Sequence, residues 1–416
     1  MENQLIDHLF RHHSGKMVSV LTRFFGLHHL DIIEDAVQDT FIKASLSWRT
    51  KQPENPEAWL NKVAKNRVLD IFRTLKAQQN NLPQINQGIQ SIAINELFLD
   101  SEIEDAQLRM IFTACHPKLD ARDQISFALK TVSGFSTKEI ASALLTKEDT
   151  IKKRLHRAKK SIKQQHIPFT IPQGNALPQR LDSALEVLYL IFNEGFHSNK
   201  TDKLIQKELC AEALRLTQIL LKKDITRQPK VYALCALMCF HAARLDAKTN
   251  TNNEILDLQT QNRSLWHKPL IERGNLMMYK AVETLTFSHY HYEAAIIAEH
   301  LKAPTFEQTD WNKIHHWYLC LQQLQPAPIN LINMAVVCLQ KQDFIMAKSH
   351  LNKLNVEDLQ QRAYLFYATK ANYYLQTNQP KIAVLNLNKA IEQVSNKLEK
   401  KYLIKKRDDL ILKNKT

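Results

Sequence analysis

Four side chains able to hold a polyanion, Lys153, His156, Arg157 and Lys160, sit three, one and three residues apart in FSTKEIASALLTKEDTIKKRLHRAKKSIK (135–163). On a helix that spacing gathers them on one side. Lys152 and Lys163 flank them, and residues 147–163 carry eight Lys and Arg against two acids. The chemistry on offer is attraction to phosphate and hydrogen bonding to base edges. A major groove admits one helix, whose first half reaches bases while later cations reach the backbone.

A recognition face of this kind has to be presented by other elements. Ile151, Leu155, Ala158 and Ile162 recur at four, three and four residues on the opposite side, an apolar stripe that binds the helix to a core. Upstream, Ser136 and Glu139 have the spacing of a capping box that opens a first helix. Thr146 and Asp149 repeat that spacing and are expected to open the second. The turn between them, Leu144-Leu145-Thr146, lacks the Gly common in helix-turn-helix units.

A second set of polar residues lies near the start of the chain. In DIIEDAVQDTFIKASLSW (31–48), Ile33, Val37, Phe41, Ala44 and Trp48 form the expected core face. Asp35, Gln38, Asp39 and Ile42 form another stripe, acidic with an apolar end, which suits a basic protein partner rather than nucleic acid. The next helix begins with Asn55 as cap and Pro56 in the first turn. Its core side is read as Leu60, Val63, Ala64 and Ile71. Its other face holds Lys62, Asn66, Leu69 and Arg73, bordered by Lys65 and Lys76, and suits a nucleic-acid backbone with unstacked bases. Trp59 and Phe72 are read as core.

No P-loop, dinucleotide fingerprint or HExxH string occurs, so no catalytic constellation is expected. Cys235, Cys239 and His241 stand at ligand-like spacing, but a helix of Ala, Leu, Cys and Met reads as packed core. SHYHYEAAIIAEH (288–300) offers His289, His291, Glu293, Glu299 and His300 without a second ligand group, so no metal is assigned there. Asn193, Glu194 and Phe196 around Gly195 fit either a ligand-binding loop or a helix-end turn.

The chain has 416 residues, 7 Gly, 13 Pro and a formal charge of +14. That length calls for more than one core, the scarcity of Gly and Pro favours helices, and the charge favours a polyanionic partner. Cys115, Cys210, Cys235, Cys239, Cys320 and Cys338 lack zinc-finger or secreted spacing and read as reduced thiols. No signal peptide or membrane-length apolar run is present, so the expected location is cytoplasmic and no membrane partner is expected. A faint repeat joins LQKQDFIMAKSHLNKL (339–354) to LQTNQPKIAVLNLNKA (375–390). Leu339, Ala347 and Leu351 return 36 residues later as Leu375, Ala383 and Leu387, a period suited to stacked helix pairs of the tetratricopeptide kind. The basic stretch KKYLIKKR (400–407) reads as a solvated tail.

The strings EDAVQDTFIKA, NPEAWLNKVAKNRVLDIFR and FSTKEIASALLTKEDTIKKRLHRAKKSI, in this order and spacing, resemble the two modules of extracytoplasmic-function sigma factors of the sigma-70 family. CHPKLD (115–120), IPFTIP (167–172), LYLIFNEGF (188–196), CAEALRL (210–216) and QNRSLWHKPLIERG (261–274) extend it to the subgroup with a long tetratricopeptide-like C-terminal extension. The resemblance implies an all-α protein with four parts. Residues 1–76 would be a region 2 helical bundle, 77–100 a linker threading toward the RNA exit path, 101–165 a region 4 helix-turn-helix, and 180–416 a helical solenoid of regulatory or interaction type.

It further implies that Asp35, Gln38, Asp39 and Phe41 dock on the clamp helices of the polymerase β′ subunit. Asn66 and Arg67 would capture the −10 element, with Lys62 and Arg73 added from the same polar side of their helix, and Lys152, Lys153, His156 and Arg157 would read the −35 element, with Thr150 and Lys160 added from the groove face of theirs. The implied partners are core RNA polymerase, through the β′ clamp helices and β flap, promoter DNA, and a protein or ligand regulator of the extension. No cofactor is implied. The sequence departs from the usual pattern at Lys147, where small polar residues or Pro are commoner. The rival reading is a conventional helix-turn-helix regulator with a sensing tetratricopeptide domain, which would have no use for an acidic docking helix.

Overall fold

The computed structural model describes residues 2–49, 52–78, 97–144, 146–196, 205–250 and 254–413, so most of the expected linker 77–100 lies outside the described residues. Among those residues there are eighteen α-helices, short 3-10 turns and no β-strand, as the Gly and Pro counts implied. The chain divides into two compact units, Met1–Ile191 and Phe192–Thr416.

The first unit starts with α1 (Glu2–Phe25), α2 (Leu30–Ser47) and α3 (Pro56–Gln78). Phe41 of α2 is buried and meets Phe10 of α1 edge-on, with centroids 5.0 Å apart. Asn55 caps α3 as expected, its Oδ1 accepting the Ala58 N–H at 3.0 Å. The core stripe of α3 is Leu60, Ala64, Val68 and Phe72, rather than the set containing Val63 and Ile71, which are only half-buried. Rotating the stripe this way also buries Leu69 and Lys65, both expected near the polar face. Burial pushes the Lys65 ammonium below its ordinary pKa.

The unit continues with α4 (Asp100–Ala114), α5 (Ala121–Thr131), α6 (Thr137–Ala143) and α7 (Glu148–Gln164) around Leu108, Phe112, Phe127 and Ile140. Asp120 caps α5 by accepting from the Arg122 N–H at 2.9 Å. The first turns of α8 (Leu177–Phe196) lie against the end of α4: Arg180 donates to the Phe112 carbonyl and Ser183 to that of Cys115. Arg23 of α1 pairs with Glu102 and Asp105 of α4, joining the front helices to the second module.

The second unit contains α9 (Lys207–Leu220), α10 (Pro229–Ala242), α11 (Lys268–Ala281), α12 (His289–Lys302), α13 (Trp311–Leu324), α14 (Pro328–Gln340), α15 (Phe344–Asn352), α16 (Ala363–Gln376), α17 (Pro380–Gln393) and α18 (Lys397–Lys413). α10 is buried from Ala233 through Phe240, so Cys235 and Cys239 are core residues, as read from composition. A Cβ on Gly195 would lie 2.8–2.9 Å from Leu209 and Cys210. The Gly therefore allows α9 to start against the last turn of α8, where the Gln206 N–H donates to the Gly195 carbonyl at 2.7 Å. This is the helix-end alternative for NEGF.

The repeat has a structural counterpart in two helical hairpins, α14–α15 and α16–α17. Gln342 and Asn378, 36 residues apart, both take left-handed φ, 59° and 61°. Asp343 and Gln379 follow them as N-caps, and their N–H groups donate to Cys338 and Tyr374, again 36 apart. Ala347, Leu351, Ala383 and Leu387 are all buried. Leu375 breaks the pattern, being 40% exposed where Leu339 is buried. The basic stretch 400–407 is not a tail: it lies inside α18, with Leu403 and Leu410 in the core beside α17. Lys401 and Lys405 there pair with Glu254. No helix among the described residues is long and apolar enough to cross a membrane.

Candidate nucleic-acid interface

The helix-turn-helix is built by α6 and α7. Ser136 and Glu139 form the capping box read from the sequence, with the Glu139 N–H donating to Ser136 Oγ at 3.1 Å and Ser136 N–H to the Glu139 carboxylate at 2.7 Å. The second cap differs from expectation. Lys147, in extended conformation, is the N-cap of α7 and supplies no side-chain hydrogen bond, so Thr146 lies one residue too early to cap. Glu148 in the first turn accepts from Thr137 of α6 at 3.1 Å and pairs with Lys152 at 3.2 Å, which fixes the two helices without a Gly in the turn. Those contacts hold the Glu148 carboxyl below its ordinary pKa, the Lys152 bond being the larger cause.

Ile151, Leu155, Ala158 and Ile162 are buried as one stripe. Lys152, Lys153, His156, Arg157 and Lys160 are exposed and Thr150 is half-buried at the edge. Lys153, His156 and Lys160 have no ion pair among the described residues, so their donors face outward. Arg157 is different: its Nε and Nη2 donate to the buried Asp123 carboxylate of α5 at 3.0 and 2.6 Å. That bond also holds its pKa above the ordinary value. Arg157→Ala should therefore strip a buried carboxylate of its partner and cost about 1–3 kcal/mol of stability, while Lys153→Ala should leave thermal unfolding unchanged. Melting curves of the two variants, read beside their DNA affinity, check this separation.

On α2, Asp31, Asp35, Gln38, Ile42 and Leu46 form an exposed stripe, with Ile42 52% and Leu46 61% exposed. Asp39 is half-buried beside it, and Phe41 lies inward, where it can only support the stripe. Leu46 was missed in the sequence, although its spacing of four from Ile42 continues the stripe. On α3, Lys62, Asn66, Arg67, Asp70 and Arg73 are exposed. Arg67 donates twice to Asp39 Oδ2, at 2.8 and 3.0 Å, across a cleft that Thr40, Val63 and Asn66 also line. Arg73 pairs with Asp70 at 3.0 Å. Asp39 and Arg67, read as members of two different surfaces, are thus direct partners.

Lys159 has no part in the outward face of α7. It reaches Asp31 Oδ1 at 2.5 Å and Glu34 Oε2 at 2.6 Å on α2. Burial pushes its ammonium down, but the two carboxylates more than offset this and hold it above its ordinary pKa. The metal reading of 288–300 finds no support in the geometry. His291 uses Nδ1 toward Ser288, the N-cap of α12, completing a capping box, and Nε2 toward the Ala281 carbonyl. His300 is buried, and burial with Arg244 and Arg263 nearby lowers it to about 3.

Residues 9–78 match the family described as Sigma-70 region 2, and residues 109–162 match Sigma-70, region 4. Residues 180–282 match a family of unknown function (DUF6596). An uncharacterized protein of Rhizobium meliloti (strain 1021) is 34% identical over 325 residues, 77% of this chain and 76% of that protein. The ECF RNA polymerase sigma factor SigE of Mycolicibacterium smegmatis (strain ATCC 700084 / mc(2)155) is 27% identical over 160 residues, covering 38% of this chain and 60% of its own length. No solved structure matches.

Proposed function

The chain belongs to the sigma-70 family and is a sigma factor of the extracytoplasmic-function type with a helical C-terminal extension, and from that premise we propose how its surfaces divide the work of initiation. Residues 1–76 hold core polymerase and open the −10 element, residues 101–165 bind the −35 duplex, and the extension from about 180 regulates them in the cytoplasm, answering to a protein or ligand. The observation that supports the reading is the exposed stripe of α2: Asp35 and Gln38 lead to exposed Ile42 and Leu46, beside Asp31 and Asp39, which pair with Lys159 and Arg67, and the stripe suits a basic helical surface with an apolar patch. We assign it the β′ clamp helices, with Asp35, Gln38 and Asp39 as polar contacts and Phe41 as the buried support. The β flap is assigned to the second module.

Lys62 and Asn66 face the −10 strand directly, while Arg67 and Arg73 reach it by exchanging Asp39 and Asp70 for phosphate. The α7 face divides by position. Thr150, Lys152, Lys153 and His156 lie up to its midpoint, where base edges are within reach, Arg157 follows just past the midpoint, and Lys160 lies where phosphate is.

The test is capture of core enzyme by Asp35→Lys, a substitution that leaves the Asp39–Arg67 pair intact. Like charge against a basic surface should reduce affinity at least about tenfold, with helix content unchanged. Capture at the wild-type level would remove the docking assignment.

A further inference from the structure

Three successive helices of the second unit each bring one ligand-type side chain to a common point. His315 comes from α13, Cys338 from the end of α14 and His350 from the end of α15, and their ligand atoms all lie within 4.8 Å of one another. Cys338 Sγ is 3.7 Å from His315 Nε2. In a tetrahedral zinc site, bonds of about 2.3 Å to sulfur and about 2.05 Å to nitrogen give an S···N edge of about 3.6 Å. The observed separation is that of a thiol–imidazole hydrogen bond and is also close to the edge that two ligands on one ion span.

His350 supplies the second, independent observation. It is 3% exposed, and neither of its ring nitrogens has a hydrogen-bond partner. A buried imidazole normally places both nitrogens, because an unmade bond costs the full desolvation of the group. A cation would take the lone pair that nothing in the protein takes. Cys338 is fully buried beside it. Among the described residues no other three His, Cys, Asp or Glu side chains converge in this way, and His291 has both nitrogens engaged.

We propose that His315, Cys338 and His350 form a binding site for a transition-metal cation that accepts thiolate and imidazole, zinc(II) first among them. Two nitrogens and one sulfur are a donor set that such ions prefer over calcium or magnesium. Three protein ligands leave a fourth position for water or an outside donor. The bound ion tie α13 to the α14–α15 hairpin and would make the packing of this part of the extension depend on metal. The site lies beyond residue 282, where the last matched family segment ends. Sequence inspection missed it because the ligands are 23 and 12 residues apart, on three helices, in no recognisable motif.

Full-length protein, kept reduced and stripped with a chelator, is titrated with cobalt(II) and then zinc(II) against a chromophoric competitor. The expected result is one equivalent bound, a thiolate-to-cobalt charge-transfer band and the intense visible bands of tetrahedral cobalt. At roughly a hundredfold excess of zinc over Kd, the melting temperature of the second unit should rise roughly 5–10 °C. Cys338→Ser and His350→Gln should each abolish the thiolate band or the tetrahedral spectrum together with the thermal shift. Cys320→Ser should keep all three, because Cys320 contacts His316 rather than the cluster. Helix content without metal checks folding, and the near-isosteric Cys338→Ser decides if His350→Gln does not fold. Absence of the charge-transfer band in wild type, or its survival in Cys338→Ser, overturns the proposal.

Discussion

Gly15→Ala should lower the stability of the first unit by about 2 kcal/mol, although Ala is the better helix former by about 1 kcal/mol. Gly15 lies buried within α1, where the chain crosses residues 132–134 after α5. A Cβ there would stand 2.2 Å from the Val132 carbonyl oxygen and 2.7 Å from its carbon. Both atoms are backbone, at a bend where Gly134 has φ 71° and the Ser14 hydroxyl points to the Gly134 carbonyl at 3.5 Å. A flexible side chain could swing away; this bend can yield only by lifting α1 off the second module. Overpacking of that kind costs about 3 kcal/mol, which outweighs the gain in helix propensity. The expected readout is a fall of roughly 4–8 °C in the melting of the first unit, with faster amide exchange in α1 and α5 and no change in α14–α17. Melting at the wild-type temperature would mean that the close approach is not a real constraint.

Local features of this contact and of the recognition helix differ in how far they can be read from sequence. The capping box at Ser136 and Glu139 and the stripe Ile151, Leu155, Ala158 and Ile162 depend only on spacing within one helix, and both are found as expected. The cap of α7 moved by one residue because Thr146 and Asp149 satisfy a spacing rule that the backbone at Lys147 does not obey. On α3 the stripe was read with Val63 and Ile71, which are only half-buried, whereas Val68 joins Leu60, Ala64 and the expected Phe72 in the core; a small rotation about the helix axis decides between neighbouring apolar positions, and spacing alone does not fix it. What no pattern within a helix carries is the partner of a charge. Asp123 and Arg157 are 34 residues apart and Lys159 and Asp31 are 128 apart. Arg157 therefore looked like one more groove cation until the fold brought Asp123 beneath it, and the close approach of residues 132–134 to Gly15 leaves no mark in the sequence around Gly15.

Lys159→Glu should separate α7 from α2 while leaving the groove face of α7 in place. In the folded unit Lys159 is 26% exposed and Glu34 14%, whereas Asp31 is 75% exposed. Most of the interaction is therefore with Glu34, whose other oxygen is buried without a partner. Removing one member of a fully buried pair costs about 3–5 kcal/mol, and partial exposure reduces that to about 2 kcal/mol for loss of the ammonium alone. Reversal adds repulsion among three carboxylates, for a total of about 3 kcal/mol. The contact also bears on function as proposed above, because Asp31 is the first member of the stripe whose next residues, Asp35 and Gln38, are assigned to polymerase. Whatever basic surface covers that stripe competes with Lys159 for Asp31, so docking and release of α7 are expected to be coupled in the same direction. The variant should show faster amide exchange at the start of α2 and the end of α7, and tighter capture of the −35 duplex by the free protein if α7 is held back by this contact. High salt should reproduce part of the effect in wild type and little of it in the variant. Equal exchange in both proteins across that salt range would show that the Lys159 pairs do not hold the two helices together.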